Sequence, residues 1–229
     1  MTSTPYDATT PGTSVPGVVP VSGPTPLGVV FDFGGVLIDW DPLPAVAHGV
    51  GEDEARRFFA EFDFDSWNHA QDAGRTWDDA LAELARTHPH FLPHGRAYRA
   101  HFARSLIGEV PGTAEVLREL HAAGVPLLGL TNWSDELYHD YAPRLFGFLA
   151  LFGDVVVSGT EQLAKPDPAI YRLAIERSGL PAEQLVFIDD RRVNVDAASA
   201  LGMRGLLFTG ADALRTDLLA LGLLRNPGT

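Results

Sequence analysis

Apolar residues gather along the chain into short unbroken runs at LGVVFDF (27–33), VPLLGLTN (125–132), DVVVSG (154–159), QLVFIDD (184–190) and RGLLF (204–208). A run of this length without polar alternation predicts a strand buried on both faces, as in a parallel sheet covered by helices. The runs are separated by helix-length amphipathic segments. In PGTAEVLRELHAAG, Pro111 stands at a helix start and Gly124 at its end, positions that suit a fixed φ and a left-handed cap respectively. The alternation predicts an α/β protein, a three-layer Rossmann-like parallel sheet. Ligands of such sheets sit beyond the carboxyl ends of the strands. The polar residues ending the runs are Asp32, Thr131 with Asn132, Ser158, and Asp189 with Asp190.

Between the first two runs lies an insertion, residues 41–108, far longer than a crossover helix requires. EDEARRFFAEF, TWDDALAELARTH and GRAYRAHFARSL within it carry apolar residues at three and four spacing, which predicts helices. The expected organisation is a core of residues 27–40 and 109–229 with a small helical cap, 41–108, resting over the strand ends. DALRTDLLALGLL is expected to pack on the sheet as an amphipathic helix. Residues 1–26 alternate Pro, Gly, Ser and Thr with small apolar residues and show no periodicity, the composition of a disordered tail.

Composition narrows the function. A chain of 229 residues with 45% hydrophobic and 21% charged residues has the length for one main domain and a modest second module. No apolar run approaches the roughly 20 residues that span a bilayer. A net charge of −13 opposes nucleic acid and anionic membranes, which are bound by clustered Lys and Arg. A small anionic substrate held by a local cation is the expected partner. The absence of cysteine excludes thiolate chemistry and suits a reducing cytoplasm. The expected assembly is a monomer or homodimer.

The strand ends present an acid in FDFGGVL, a hydroxyl and amide in LTN, and an acid pair in FIDD, with a lysine in KPDPAIY between the last two. With these motifs in this order the chain resembles a haloacid dehalogenase superfamily hydrolase from residue 27 to about 210. The resemblance implies Asp32 as nucleophile, Thr131 and Asn132 as donors to a phosphoryl group, and Lys165 as a cation pairing with both nucleophile and substrate. It implies Mg²⁺ held by Asp32, Asp190, the Gly34 carbonyl and, directly or through water, Asp189. The chemistry is consistent with the residue types. A carboxylate nucleophile splits one displacement into two easier ones, and a hard cation with oxygen ligands lowers the repulsion between two anions.

Gly34 departs from the pattern. Most phosphatases of the family carry a second aspartate two residues after the nucleophile, as proton donor to the leaving oxygen and later as base. Losing a positioned acid and base costs about 10²- to 10⁴-fold in rate. The main expectation is still a Mg²⁺-dependent phosphatase of a small phosphomonoester, of the sugar-phosphate class, acting through an aspartyl-phosphate. FDFGGVLIDWDP resembles a branch containing an α-D-glucose-1-phosphate phosphatase, whose first motif also has glycine there. Asp39 and Asp41 are the nearest carboxylates in sequence and the candidates for a surrogate acid. One alternative is a metal-free 2-haloacid dehalogenase, in which departing halide needs no proton. Such enzymes use an arginine, and Arg56, Arg57 and Arg75 lie in the insertion, but the paired acids of FIDD speak for a cation. The other alternative is a catalytically weak phosphometabolite-binding protein.

Substrate choice is expected in the insertion, where WNHAQDAGRTW brings Trp67, Asn68, Gln71, Asp72 and Arg75 together. Trp67 and Trp77 are read as packing anchors and the polar residues as solvated. His69, His88, His90, His94 and His101 show no metal-like spacing and are read as surface residues.

Overall fold

The computed structural model describes residues 27–225; the segment read as a tail lies outside the described residues. The chain enters on β1 (Gly28–Phe31) and turns into β2 (Ile38–Trp40). Five helices follow: α1 (Leu43–Val50), α2 (Glu52–Glu61), α3 (Phe64–Asp72), α4 (Trp77–Thr87) and α5 (Leu92–Ala100). β3 (Leu106–Glu109) then pairs antiparallel with β2 and returns the chain to α6 (Thr113–Ala122). The remainder alternates β4 (Leu127–Thr131), α7 (Asp135–Leu145), β5 (Asp154–Val157), the short α8 (Ser158–Glu161), α9 (Pro168–Ser178), β6 (Leu185–Asp189), α10 (Arg192–Ser199), β7 (Arg204–Leu207) and α11 (Ala211–Ala220).

All five apolar runs are strands of one parallel sheet, ordered β5-β4-β1-β6-β7. The period of two along β1 sends Val29 and Phe31 to one face and Val30 to the other. Val29 and Phe31 pack with Val116, Leu117 and Leu120 of α6 and Leu214 and Leu218 of α11. Val30 packs with Ile170, Tyr171 and Ala174 of α9 and Ala198 of α10. Helices on both faces make the three layers, and the order places β1, with Asp32 just past its end, between β4 and β6 at the centre.

The insertion holds two helices beyond the three that the periodicity predicts. Pro42 and Pro44 obscure α1 in sequence, although proline is tolerated in a first helical turn, where its N–H would have no partner. α3 is short and polar, and Asp63 caps it by accepting from the Ser66 N–H. GRAYRAHFARSL is not one helix, since α5 stops at Ala100 and Phe102–Ser105 tighten into a 3₁₀ turn. An aromatic cluster that includes Phe58, Phe64, Trp67, Trp77, Phe91 and Tyr98 fills this unit. His94 is a correction to the surface reading: it is buried against Phe58 and Phe91, and burial holds its pKa below the ordinary histidine value.

The helical unit is tied to the sheet domain by specific polar contacts. Trp77 Nε1 donates to Ser134 Oγ (3.0 Å), the Trp77 N–H to Glu136 (3.0 Å), and Arg99 to Glu136 (2.9 Å). Ser134 stands at the N-cap of α7, as its position in the sequence implies, but its hydroxyl serves Trp77 rather than the helix. No helix among the described residues is long and apolar enough to cross a membrane.

Candidate active site

β1 carries its hydrogen bonding one residue past its end, where the Asp32 N–H donates to Ile188 O (2.9 Å), and then the backbone turns. Gly35 makes that turn at φ +71°, and a Cβ there would strike the Asp190 carboxylate. Only glycine meets both demands. Gly34 is different, because a Cβ at that position would meet nothing within 4 Å.

Asp32 Oδ1 accepts from the Phe33 N–H (2.6 Å) and lies 2.8 Å from Lys165 Nζ. The same ammonium donates to Asp189 Oδ2 at 2.7 Å. Lys165 comes from the loop before α9, and its backbone is clasped by the Asn132 side chain, which accepts from its N–H (2.8 Å) and donates to its carbonyl (2.9 Å). Asp189 is fully buried and receives further bonds from Asn194 Nδ2 and the Arg191 N–H. Ser158 Oγ accepts from the Trp133 N–H (2.9 Å), which braces the loop after β4.

Asp32, Asp189 and Asp190 each offer an oxygen, and these oxygens lie within 4.8 Å of one another. Burial, offset by Lys165 and reinforced by the Asp189 charge, pushes Asp32 up to about 8. Asp190 is also raised, by burial and then by Asp189. Lys165 is raised because its two carboxylates outweigh the desolvation that acts to lower it. Three acids facing one ammonium form an excess of negative charge that a hard divalent cation with oxygen ligands would relieve. The donor set therefore fits Mg²⁺.

Above these groups opens a cavity of about 490 Å³. Its floor is Asp32, Gly34, Thr131, Asn132, Lys165 and Asp190, and its roof includes Trp40, Asp72, Tyr98 and Phe102. Residues 27–202 match the haloacid dehalogenase-like hydrolases, over most of the chain. The chain is a haloacid dehalogenase-like hydrolase.

The hydrolase is 28% identical over 189 residues to a sesquiterpene phosphatase of Aspergillus oryzae, covering 82% of this chain and 91% of that protein. It is 31% identical over 199 residues to a phosphoglycolate phosphatase of Pseudomonas savastanoi pv. phaseolicola, covering 80% and 69% respectively. Several other curated relatives are matched over less than half of their own length. Among solved structures it is similar to a haloacid dehalogenase family enzyme of Bacteroides thetaiotaomicron in complex with magnesium and inorganic phosphate. That likeness has a TM-score of 0.65 at 19% identity over 81% of this chain and 95% of the other, and concerns the fold.

In the hydrolase, Asp32, Gly34, Thr131, Asn132, Lys165, Asp189 and Asp190 come together at the carboxyl ends of β1, β4 and β6. Asp39 and Asp41 do not join them. Both are exposed and outside the cavity wall, and Asp41 Oδ1 accepts from the Leu43 N–H (2.8 Å) at the start of α1. Arg56 and Arg57 pair with glutamates on their own helix, and Arg75 is held by Gln71, Glu83 and the Trp67 carbonyl. None of the three lines the cavity. Trp67 and Trp77 are buried packing residues, and Gln71 is buried with them.

Two wall residues escape the sequence pattern, and a third, Asp72, belongs to the stretch in which substrate choice is expected. Asn194 orients Asp189 from one turn into α10, where it reads as an ordinary helix residue. Arg191 lines the cavity in place of the arginines of the insertion. Asn68 and Asp72 of that stretch reach the cavity wall rather than only solvent: Phe64, Trp67 and Gln71 bury one face of α3, while Asp65, Asn68, His69 and Asp72, at three and four spacing, line the cavity with the other.

Proposed function

We propose that the protein is a Mg²⁺-dependent phosphomonoesterase that works through an aspartyl-phosphate at Asp32. The observation that carries this reading is Lys165 Nζ, 2.8 Å from Asp32 and 2.7 Å from Asp189, beside three converging carboxylates at the floor of a cavity. The phosphatases among its relatives and the magnesium and phosphate complex of the Bacteroides enzyme agree with it.

Asp32 Oδ1 is engaged by Lys165 and Phe33, so Oδ2 is the oxygen presented to phosphorus. Lys165, the Thr131 hydroxyl and the Asn132 N–H surround the position of the phosphoryl oxygens and oppose the charge that develops there. Mg²⁺ held by Asp32, Asp190 and the Gly34 carbonyl would supply further charge neutralisation, with Asp189 serving chiefly to fix Lys165. As the bond from Asp32 to phosphorus forms, the bond to the leaving oxygen breaks. Water then displaces the Asp32 carboxylate and releases inorganic phosphate.

The walls indicate the substrate. Ile38, Trp40, Phe102, Leu106 and Leu137 offer an apolar surface, and Asn68 and Asp65 offer hydrogen bonds. This combination suits a compact alcohol with an apolar face. Sugar phosphates remain the first class to assay, with phosphoglycolate and a prenyl monophosphate beside them because of the two relatives. The test measures phosphate release from this panel with Mg²⁺ and with EDTA, together with halide release from L-2-haloacids. Phosphate release lost in EDTA and in Asp32→Asn supports the reading; metal-independent halide release overturns it. Binding of a panel member, seen as thermal protection with no turnover, also overturns it and restores the binding-protein alternative.

A further inference from the structure

Gly34 carries no carboxyl two residues after Asp32, and Asp39 and Asp41 lie outside the cavity wall. We propose that Asp72, reaching from the end of α3 into the cavity, is the general acid and base of this hydrolase, in the place left by Gly34. The proposal rests on the phosphatase reading and adds the residue that completes it.

The position comes first. Asp72 lines the same cavity as Asp32, Gly34, Thr131 and Lys165. Asn68 Nδ2, one turn back on α3, donates to its Oδ2 at 3.2 Å. The carboxyl is thus oriented from its own helix while lining the cavity over the strand ends. The neighbouring bonds from Trp77 to Ser134 and Glu136 hold the segment after α3 against the start of α7. The site of the missing acid is open, since a Cβ on Gly34 meets nothing within 4 Å. The cavity that Asp72 lines therefore has open space at Gly34, where the family's usual aspartate would stand.

The chemistry agrees. Burial pushes Asp72 up to about 7, against the opposing charge of Lys165. An acid and base serves best when its pKa lies near the working pH. The groups around it are Tyr98 from α5, whose own pKa burial and then Asp72 raise, Lys165 from the core, and Asp65, Asn68 and His69 from its own helix. Asp32, Asp190 and Arg191 face it across the cavity. Asp65 and His69 lie farther back on α3 and are exposed.

The steps balance. The electron pair of the breaking bond stays on the leaving oxygen, which takes the Asp72 proton and departs as the neutral alcohol. Asp72, now a carboxylate, accepts a proton from the water that attacks the aspartyl-phosphate. Phosphate and free Asp32 are regenerated, and Asp72 is again protonated.

The test compares an alkyl phosphate, whose leaving oxygen needs a proton, with p-nitrophenyl phosphate, whose leaving group does not. In Asp72→Asn, kcat/KM for the alkyl ester is expected to fall about 10²- to 10⁴-fold, with little change in kcat/KM for the nitrophenyl ester. With the nitrophenyl ester the variant should release one equivalent of nitrophenol per enzyme in a burst and then turn over slowly, because the base for the second step is gone. Adding Gly34→Asp to Asp72→Asn should recover at least tenfold of the alkyl activity. Asp72→Ser provides the same comparison should Asp72→Asn fail to fold. An equal loss on both esters, no loss, or the same leaving-group pattern in His69→Gln overturns the proposal. Asp32→Asn separates the two claims: if the wild type releases phosphate and Asp32→Asn does not, the phosphatase reading stands whatever Asp72 does. A wild type that releases no phosphate from either ester removes both.

Discussion

Lys165 shows how much one side chain is asked to do. It is buried to 2% exposure between two carboxylates. Removing one partner from such a cluster leaves uncompensated buried charge, at a cost of about 3–5 kcal/mol. Lys165→Met should therefore lose both activity and stability, and an unchanged denaturation midpoint would contradict the geometry. The paired glycines give a second contrast. Gly35→Ala places a Cβ in the left-handed region, at about 1–2 kcal/mol, and against Asp190, whereas Gly34→Ala enters open space. Thermal unfolding should separate the two variants, with Gly35→Ala well below the wild type and Gly34→Ala close to it.

At the scale of elements, the question is what holds the helical unit over the strand ends. Trp77 opens α4 with its indole N–H on Ser134 and its backbone N–H on Glu136. Trp77→Phe keeps most of the apolar contact and removes the indole donor, leaving the buried Ser134 hydroxyl without it. A buried polar group left unpaired costs about 1–3 kcal/mol. The expected result is a lower denaturation midpoint and faster amide exchange in α3 and the start of α4, with the sheet strands unaffected. Exchange that rises uniformly across the chain would argue against a local clasp. At this scale the sequence was readable where one principle dominated. The five sheet strands are continuous apolar runs bounded by turns, and α4 has a Thr76 cap and regular spacing. α1 and α3 were hidden because proline and polar residues mask short helices whose stability comes from the partners they pack on.

Across the molecule, local and global charge act together. The chain carries −13 overall, and three of its acids crowd one strand-end site. A cation that binds only the folded site raises stability by mass action, about 2.7 kcal/mol at a hundredfold excess over its Kd. For a domain of this size that is about 5–10 °C in Tm. Mg²⁺ should give such a rise, EDTA should reverse it, and Asp190→Asn should remove most of it. A shift of equal size in Asp190→Asn would place the bound ion elsewhere.

The missing acid at Gly34 is visible only against the motif of the family the chain resembles; the order of strands and helices, the positions of Asp32, Thr131, Asp189 and Asp190 at strand ends, and that of Lys165 ahead of α9 were determined by the sequence alone. Each depends on local pattern or on order along the chain, which a linear reading preserves. Tertiary structure decided which side chains meet. It placed Asp39 and Asp41 outside the cavity, turned Asn194 onto Asp189, and gave the Ser134 hydroxyl to Trp77. It also brought Asp72 from the insertion to the wall of the cavity that Thr131 lines. Spacing alone could not show this, because the cavity exists only where the helical unit meets the strand ends.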